Sequence, residues 1–226
     1  MVDLAVFLGN PGKKYSRHRH NAGFMLADKL PLNDSLPWQN KFRGIYSAMD
    51  RNRLSGFLPD GISPQEGFPQ EGADQGRVHF IKPETFMNLS GGPVAEAASF
   101  FKIKNEAILV VHDELELPLG TVSLKFGGGL GGHNGLRSMK ASLGSADFWR
   151  IRIGIGRPDS RSPGEGGPPG SGEGIVDWVL SGFSAQETDT LEIVLNAAGD
   201  LLLKVLAGDP KNYLKEWAKK SIVSEC

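Results

Sequence analysis

His20 and Asp113 are the two groups in this chain best suited to moving a proton. A neutral imidazole accepts a proton near neutral pH without assistance, and a carboxylate behind it fixes its tautomer and stabilises the cation it becomes. Chemistry alone does not separate these residues from their neighbours. His18, two positions earlier, serves as well as His20, and Glu114 serves as well as Asp113. His133, inside a glycine-rich run, is a third histidine candidate. Taken singly, a loop histidine is more often a surface residue, and an aspartate after a strand is more often a turn former or helix cap.

Three asparagines raise the weight of this group. Asn10, Asn88 and Asn134 all fall in segments expected to follow or flank strand ends, where ligands bind in an open α/β sheet. A side-chain amide donates to a developing oxyanion and accepts from a water. Asn, His and Asp without an accompanying serine or cysteine nucleophile suit direct attack by water. The sole cysteine, Cys226, is the last residue, so there is no internal disulfide framework and no multi-cysteine metal site. The run Gly127–Gly135 (GGGLGGHNG) lacks the G-K-[ST] ending of a nucleotide loop, and no G-x-G-x-x-G opens a helix after the first strand. It reads as a flexible loop whose backbone can approach a ligand closely.

The elements that must position these residues follow from periodicity. Asp3–Gly9, Phe42–Met49, Val78–Ile81, Ala107–His112, Thr121–Phe126 and Arg150–Gly154 read as strands. Asn21–Leu30, Gly92–Phe101 and Asn134–Leu143 read as helices between them. Ser184 and Glu187 form a capping box ahead of a long helix in which Leu191, Val194, Leu195, Ala198, Leu202 and Val205 recur at helical spacing. A last helix is expected near Tyr213–Lys220. Strands alternating with helices predict one layered α/β domain over residues 1–226 with a mixed, largely parallel sheet.

The 226 residues are 39% hydrophobic and 23% charged, ordinary for one soluble domain. The first strand is not preceded by a basic segment, and no apolar run is long enough to span a bilayer, so a soluble, cytoplasmic protein without a membrane partner is expected. The net charge of −1 argues at first sight against a nucleic-acid partner. Its distribution reverses that reading. Residues 59–76 and 159–174 carry −6 between them, which leaves +5 on the rest of the chain. The same 34 residues hold 10 of the 30 glycines and 6 of the 14 prolines, a composition unable to bury much apolar surface, and they read as surface insertions.

The stretches FLGNPGKKYSRHRHNAG, IKPETFMNLSG, VVHDELELPLG, KFGGGLGGHNGL and RIRIGIGRP occur in this order. Together they resemble the bacterial type of peptidyl-tRNA hydrolase over nearly the whole chain outside the two insertions. The resemblance implies a single-domain, three-layer α/β/α fold. It also implies cofactor- and metal-independent hydrolysis of the ester between a peptide and the ribose at the tRNA 3′ end, by a protein expected to be a monomer. Residue by residue, it places the general base on His20 rather than His18 and the orienting carboxylate on Asp113. It places substrate- and water-positioning amides on Asn10, Asn88 and Asn134, a tRNA-site tyrosine on Tyr15, and phosphate-contacting cations on Lys125 and Arg152. Leu130 stands where many relatives have a polar residue, and the two insertions lengthen the chain beyond the family's common size. An RNA-binding protein without turnover and an esterase for small esters are the alternatives to this reading.

Overall fold

The computed structural model describes residues 1–59, 76–158 and 172–223. The two expected insertions fall almost wholly outside these residues. The second ends earlier than expected, because Gly172 already opens a helix.

The elements run β1 (Leu4–Phe7), α1 (Ala22–Lys29), β2 (Gln39–Lys41), β3 (Gly44–Asp50), β4 (Arg77–Pro83), α2 (Gly91–Phe100) and β5 (Ile108–Glu114). After these come β6 (Thr121–Phe126), α3 (Asn134–Leu143), β7 (Trp149–Gly154), α4 (Gly172–Val179), α5 (Ala185–Ala207) and β8 (Lys220–Ser221). The strands form one sheet in the order β2-β3-β4-β1-β5-β7-β6-β8. The sheet is mixed, and its parallel part is confined to the central strands β4, β1, β5 and β7. The flanking pairs β2–β3, β3–β4, β6–β7 and β6–β8 are antiparallel.

The central strands are apolar on both faces because helices cover both. Leu4, Val6 and Leu8 of the first strand and its end join Ile108 and Val110 of β5 in a core closed by Val94 and Ala97 of α2 and Leu136 and Met139 of α3. Ala5, Phe7, Leu109 and Val111 face the other way, onto Leu26 of α1 and Leu191, Val194, Leu195 and Leu202 of α5. The result is three layers, α/β/α.

Two local features depart from the sequence pattern. The third strand begins at Gly44 instead of Phe42, because Phe42 and Arg43 both adopt positive φ, 55° and 50°, and make the two-residue turn of a hairpin with β2. Burial of Phe42 offsets the cost of that backbone. The last helix does not form over Tyr213–Lys220. A short 3₁₀ turn over Pro210–Tyr213 gives way to turns and to β8. The open edge of β6 claims the segment: Leu124 N–H donates to Trp217 O at 2.6 Å, and Ser123 Oγ donates to Ala218 O. An unpaired strand edge is a stronger demand than the helical propensity of this segment.

The parallel centre brings the ends of β1, β4 and β5 to one edge. The chain passes from β4 through α2 to β5 on the opposite side of β1, so the strand order reverses there, which is where open α/β sheets bind ligands. Helix α1 starts directly against that edge at Gly23. A Cβ there would lie 2.5 Å from Leu8 O, 2.6 Å from Val111 O and 2.7 Å from Leu8 N, all backbone atoms unable to yield. Gly23→Ala is therefore expected to lower stability by about 1–3 kcal/mol, the usual cost of overpacking, read as a lower urea midpoint with unchanged m-value. An unchanged midpoint would show that α1 is free to slide.

Candidate active site

Asp113 lies at the end of β5 and is 2% exposed. His20 reaches it from a short 3₁₀ turn, Arg19–Asn21, that leads into α1. His20 Nδ1 stands 2.9 Å from Asp113 Oδ1 and 3.1 Å from Oδ2. A carboxylate accepts only, so the imidazole proton sits on Nδ1. The other nitrogen, Nε2, has no hydrogen bond among the described residues and keeps its lone pair available.

A second histidine holds the same carboxylate. His133 Nε2 is 3.0 Å from Asp113 Oδ1. His133 Nδ1 accepts from the backbone N–H groups of Gly135 (3.1 Å) and Leu136 (3.4 Å), so this side chain is the N-cap of α3. Those amides fix the tautomer: the proton must be on Nε2, which donates to Asp113. Both ring nitrogens are then engaged, which leaves His133 no lone pair for substrate chemistry in this arrangement. His112 is fully enclosed behind it, with ring centroids 4.9 Å apart, and its burial and the adjacent His133 hold its pKa well below the ordinary value.

The electrostatics follow from this packing. Burial alone would raise the Asp113 pKa, but His20 and His133 outweigh it and hold the carboxyl well below the usual range. Burial alone would lower the His20 pKa, and the charge and hydrogen bond of Asp113 overturn that, leaving it above 6.5. His20, Asp113 and His133 also each offer a metal-ligating atom within 4.8 Å of one another. In the present geometry the three are joined by direct hydrogen bonds.

Asn10 joins the loops around the pair. Its backbone N–H donates to Asn21 Oδ1 (3.0 Å), its carbonyl accepts from Asn21 Nδ2 (2.9 Å), and its own Oδ1 accepts from Met87 N–H (2.8 Å). The loop after β1 is thereby tied to the His20 turn on one side and to the TFMN segment on the other. Asn88 sits in the 3₁₀ turn Met87–Leu89, and Asn134 is the first residue of α3. Both are exposed, and neither side chain is hydrogen-bonded among the described residues. These two segments approach closely at Gly135, where an added Cβ would meet Met87 Sδ at 2.6 Å and displace that side chain.

Tyr15 is half-buried, edge-on to His18 and to Phe86, which is itself 55% exposed beside Asn88. His18 has no contact with Asp113. It forms an isolated bridge with Gly182 instead. Glu114 likewise turns away from His20, toward Arg152 Nη1 at 3.5 Å and the Glu116 N–H at 3.2 Å. Lys125 and Arg152 share one sheet face, since Lys125 pairs with Arg150 and Ser123 with Arg152 across β6 and β7. Lys125 is half-buried beside the glycine-rich loop, and burial with Arg152 and Arg150 nearby pulls its pKa down. Arg152 is already engaged, donating to Ser123 Oγ at 2.8 Å as well as to Glu114.

The residue pattern did not reveal three supporting side chains. Asn21 clamps the backbone of Asn10. Arg150 is 1% exposed and donates to Gly129 O at 2.8 Å, holding the glycine-rich loop. Arg19 is 3% exposed, binds both Glu187 oxygens (3.0 and 2.8 Å), and stacks between Trp178 at 3.8 Å and Phe183 at 4.6 Å. It anchors the His20 turn to the start of α5. A charged residue beside a candidate base reads as solvent-facing in a sequence, and only the partners 162–168 positions away identify the anchor.

A buried imidazole–carboxylate pair with one free nitrogen, at the ligand edge of an α/β/α sheet, is an arrangement for general-base activation of a small nucleophile. Comparison with known proteins is specific. The peptidyl-tRNA hydrolase family model matches residues 4–224. The chain is 43% identical over 228 residues to a peptidyl-tRNA hydrolase of Treponema pallidum, covering 100% of this chain and 98% of that protein. It is 42% identical to one of Rhodospirillum centenum, covering 93% and 78%. The crystal structure of peptidyl-tRNA hydrolase from Acinetobacter baumannii superposes with a TM-score of 0.71 at 31% identity, over 96% of this chain and 92% of that one. The chain belongs to the peptidyl-tRNA hydrolase family.

His20 is expected to titrate above 6.5 by NMR, and Asp113→Asn is expected to move that midpoint down, because desolvation is then no longer opposed by a full negative charge. A midpoint that stays in place would mean that Asp113 does not set the His20 pKa.

Proposed function

We propose that this chain hydrolyses the ester bond between a peptide and the terminal ribose of a tRNA, releasing free tRNA and free peptide. The observation that carries the reading is the His20–Asp113 pair with its unengaged Nε2, placed at the switch-point edge in a member of this family.

His20 Nε2 takes a proton from water as the water oxygen attacks the ester carbonyl. Asp113 stabilises the imidazolium that results. The tetrahedral oxyanion collapses, the ester C–O bond breaks, and the proton on His20 passes to the departing ribose oxygen. The peptide is released as a carboxylic acid that gives its remaining proton to solvent, and Nε2 is free again. Asn10 Nδ2 has no hydrogen bond among the described residues, which suits it to the carbonyl oxygen or the water. Asn88 and Asn134 flank the same opening with unengaged amides and serve to hold substrate and peptide. Tyr15, with Phe86 beside it, offers an aromatic surface to the acceptor end of the tRNA.

Lys125 and Arg152 are assigned to tRNA phosphates. Their partners rank them. Lys125 has no ion-pair partner among the described residues, whereas Arg152 must share its charge with Glu114. Lys125 is therefore the stronger phosphate contact. Phosphate contacts supply affinity without sequence choice, as an enzyme acting on many tRNAs requires.

His20→Ala is expected to cost about 10²–10⁴-fold in kcat on peptidyl-tRNA while tRNA binding is retained. Near-normal turnover would remove His20 from the mechanism. Lys125→Ala is expected to raise KM, leave kcat little changed, and reduce the log–log slope of affinity against salt by roughly 0.7–0.9, one contact. An unchanged slope would reassign Lys125 to a structural role.

A further inference from the structure

The edge of the sheet opposite His20 carries a second concavity. A cavity of about 400 Å³ opens where β1, β4 and β5 begin, and Arg77, His79, Phe101, Lys102, Ile103 and Lys104 line it. Asp113 ends the same strand that begins just after Ala107, so strand rise separates the two sites by roughly 20 Å. The volume is at the lower end of the range for small-ligand sites.

Its lining is built for an anion. Lys102 and Lys104 are exposed and have no ion-pair partner among the described residues. Arg77 lends one nitrogen, Nε, to Asp50 at 3.1 Å and keeps the rest of its guanidinium. Among the described residues Asp3 is the one carboxylate in the lining, and the buried Arg51 neutralises it at 2.7 Å. His79 adds a neutral donor. Its Nδ1 lies 2.7 Å from the Tyr46 hydroxyl, and its other nitrogen has no partner among the described residues. Burial, with Arg77, Lys41 and Arg51 close by, pushes the His79 pKa down to about 4, so the ring is uncharged at neutral pH. When the phenol donates to Nδ1, the proton of the neutral ring sits on Nε2. Phe101, stacked on His79 with centroids 3.9 Å apart, and Ile103 supply an apolar wall.

The backbone sets where Lys102 stands. Helix α2 closes with Lys102 N–H on Ser99 O and Ile103 N–H on Ala98 O, a turn that places Lys102 at φ 55°. Glycine is the usual occupant of that position. That cap fixes Lys102 at the rim of the cavity, where it is exposed.

We propose that this cavity binds a phosphate monoester with a ring-bearing body, a mononucleotide in size. The dianionic phosphate sits between Lys102, Lys104 and the free guanidinium nitrogens of Arg77. The ring lies against Phe101 and Ile103 and accepts from His79 Nε2–H. Two unpaired lysines match a dianion better than the single charge of a phosphodiester, which separates this site from a track for RNA backbone. The inference does not depend on the activity proposed for His20.

The test uses AMP as the probe on the full chain, by calorimetry and by amide chemical shifts. Saturable binding is expected, with shifts centred on His79 and Phe101. Adenosine, lacking the phosphate, should bind at least about tenfold more weakly, the loss expected from charge-assisted contacts. Lys102→Gly combined with Lys104→Gln should weaken AMP by a similar factor or more. It should not lower the thermal midpoint, because glycine suits the left-handed backbone, and turnover of peptidyl-tRNA without AMP should be unchanged. The proposal is overturned if AMP does not saturate, if the double variant binds AMP as well as the parent, or if the shifts centre on His20 and Lys125. It is also overturned if the double variant loses affinity for tRNA instead of AMP, which would make this surface an RNA contact.

Discussion

A fully ionised carboxylate sealed inside a protein must be paired, or the cost of removing it from water destabilises the fold by several kcal/mol. Asp113 is that group, and much of the surrounding architecture answers to it. Two imidazole N–H groups reach it from different parts of the chain, one from the turn ahead of α1 and one from the cap of α3. Each has a fixed tautomer for a separate reason. His20 is fixed by Asp113 itself, and His133 by the amides at the start of its own helix. The carboxylate thus remains ionised where burial opposes it, and its charge is delivered to the one imidazole that still has a free nitrogen.

The same need explains the close packing around the site. Helix α1 carries His20 to Asp113 only because Gly23 lets its first turn rest on the backbone of Leu8 and Val111. The start of α3, which brings His133 into place, packs at Gly135 against the Met87 side chain. Arg19 then fixes the far side of the His20 turn through Glu187 and the Trp178–Phe183 pair. Glu187 belongs at once to the capping box of α5 and to this anchor, so the longest helix is coupled to the position of the candidate base.

The two ends of the parallel strands have opposite characters. At the carboxyl ends, the Asp113 charge is held close by imidazoles and amides, which suits proton transfer. At the amino ends, Arg51, Arg77, Lys102 and Lys104 outnumber Asp3 and Asp50, the acids paired with them among the described residues, and His79 is driven neutral by its surroundings. Both arise from one sheet, since the strands that carry Asp113 and His79 are straight segments whose two ends meet different neighbours. Among the described residues no helix is long and apolar enough to cross a membrane, and the buried apolar side chains gather in two cores.

What the amino-acid order determined by itself is local. Apolar periodicity placed β6 over Thr121–Phe126 and α3 over Asn134–Leu143, and the spacing of Ser184 and Glu187 marked the start of α5. These are interactions within one turn or one pleat, and residue types encode them directly. The motifs carrying His20, Asp113 and the three asparagines were legible for the same reason, as short runs. Which histidine meets Asp113 with a nitrogen to spare was not decided by residue chemistry, because His18, His20 and His133 differ in nothing but position. Tertiary packing decided it, by turning His18 toward Gly182, occupying both nitrogens of His133, and leaving Nε2 of His20 open. The anchors Arg19 and Arg150 and the strand that replaced the last helix belong to that second class. Their partners are remote in sequence, and burial against those partners outweighs the propensity of any single segment.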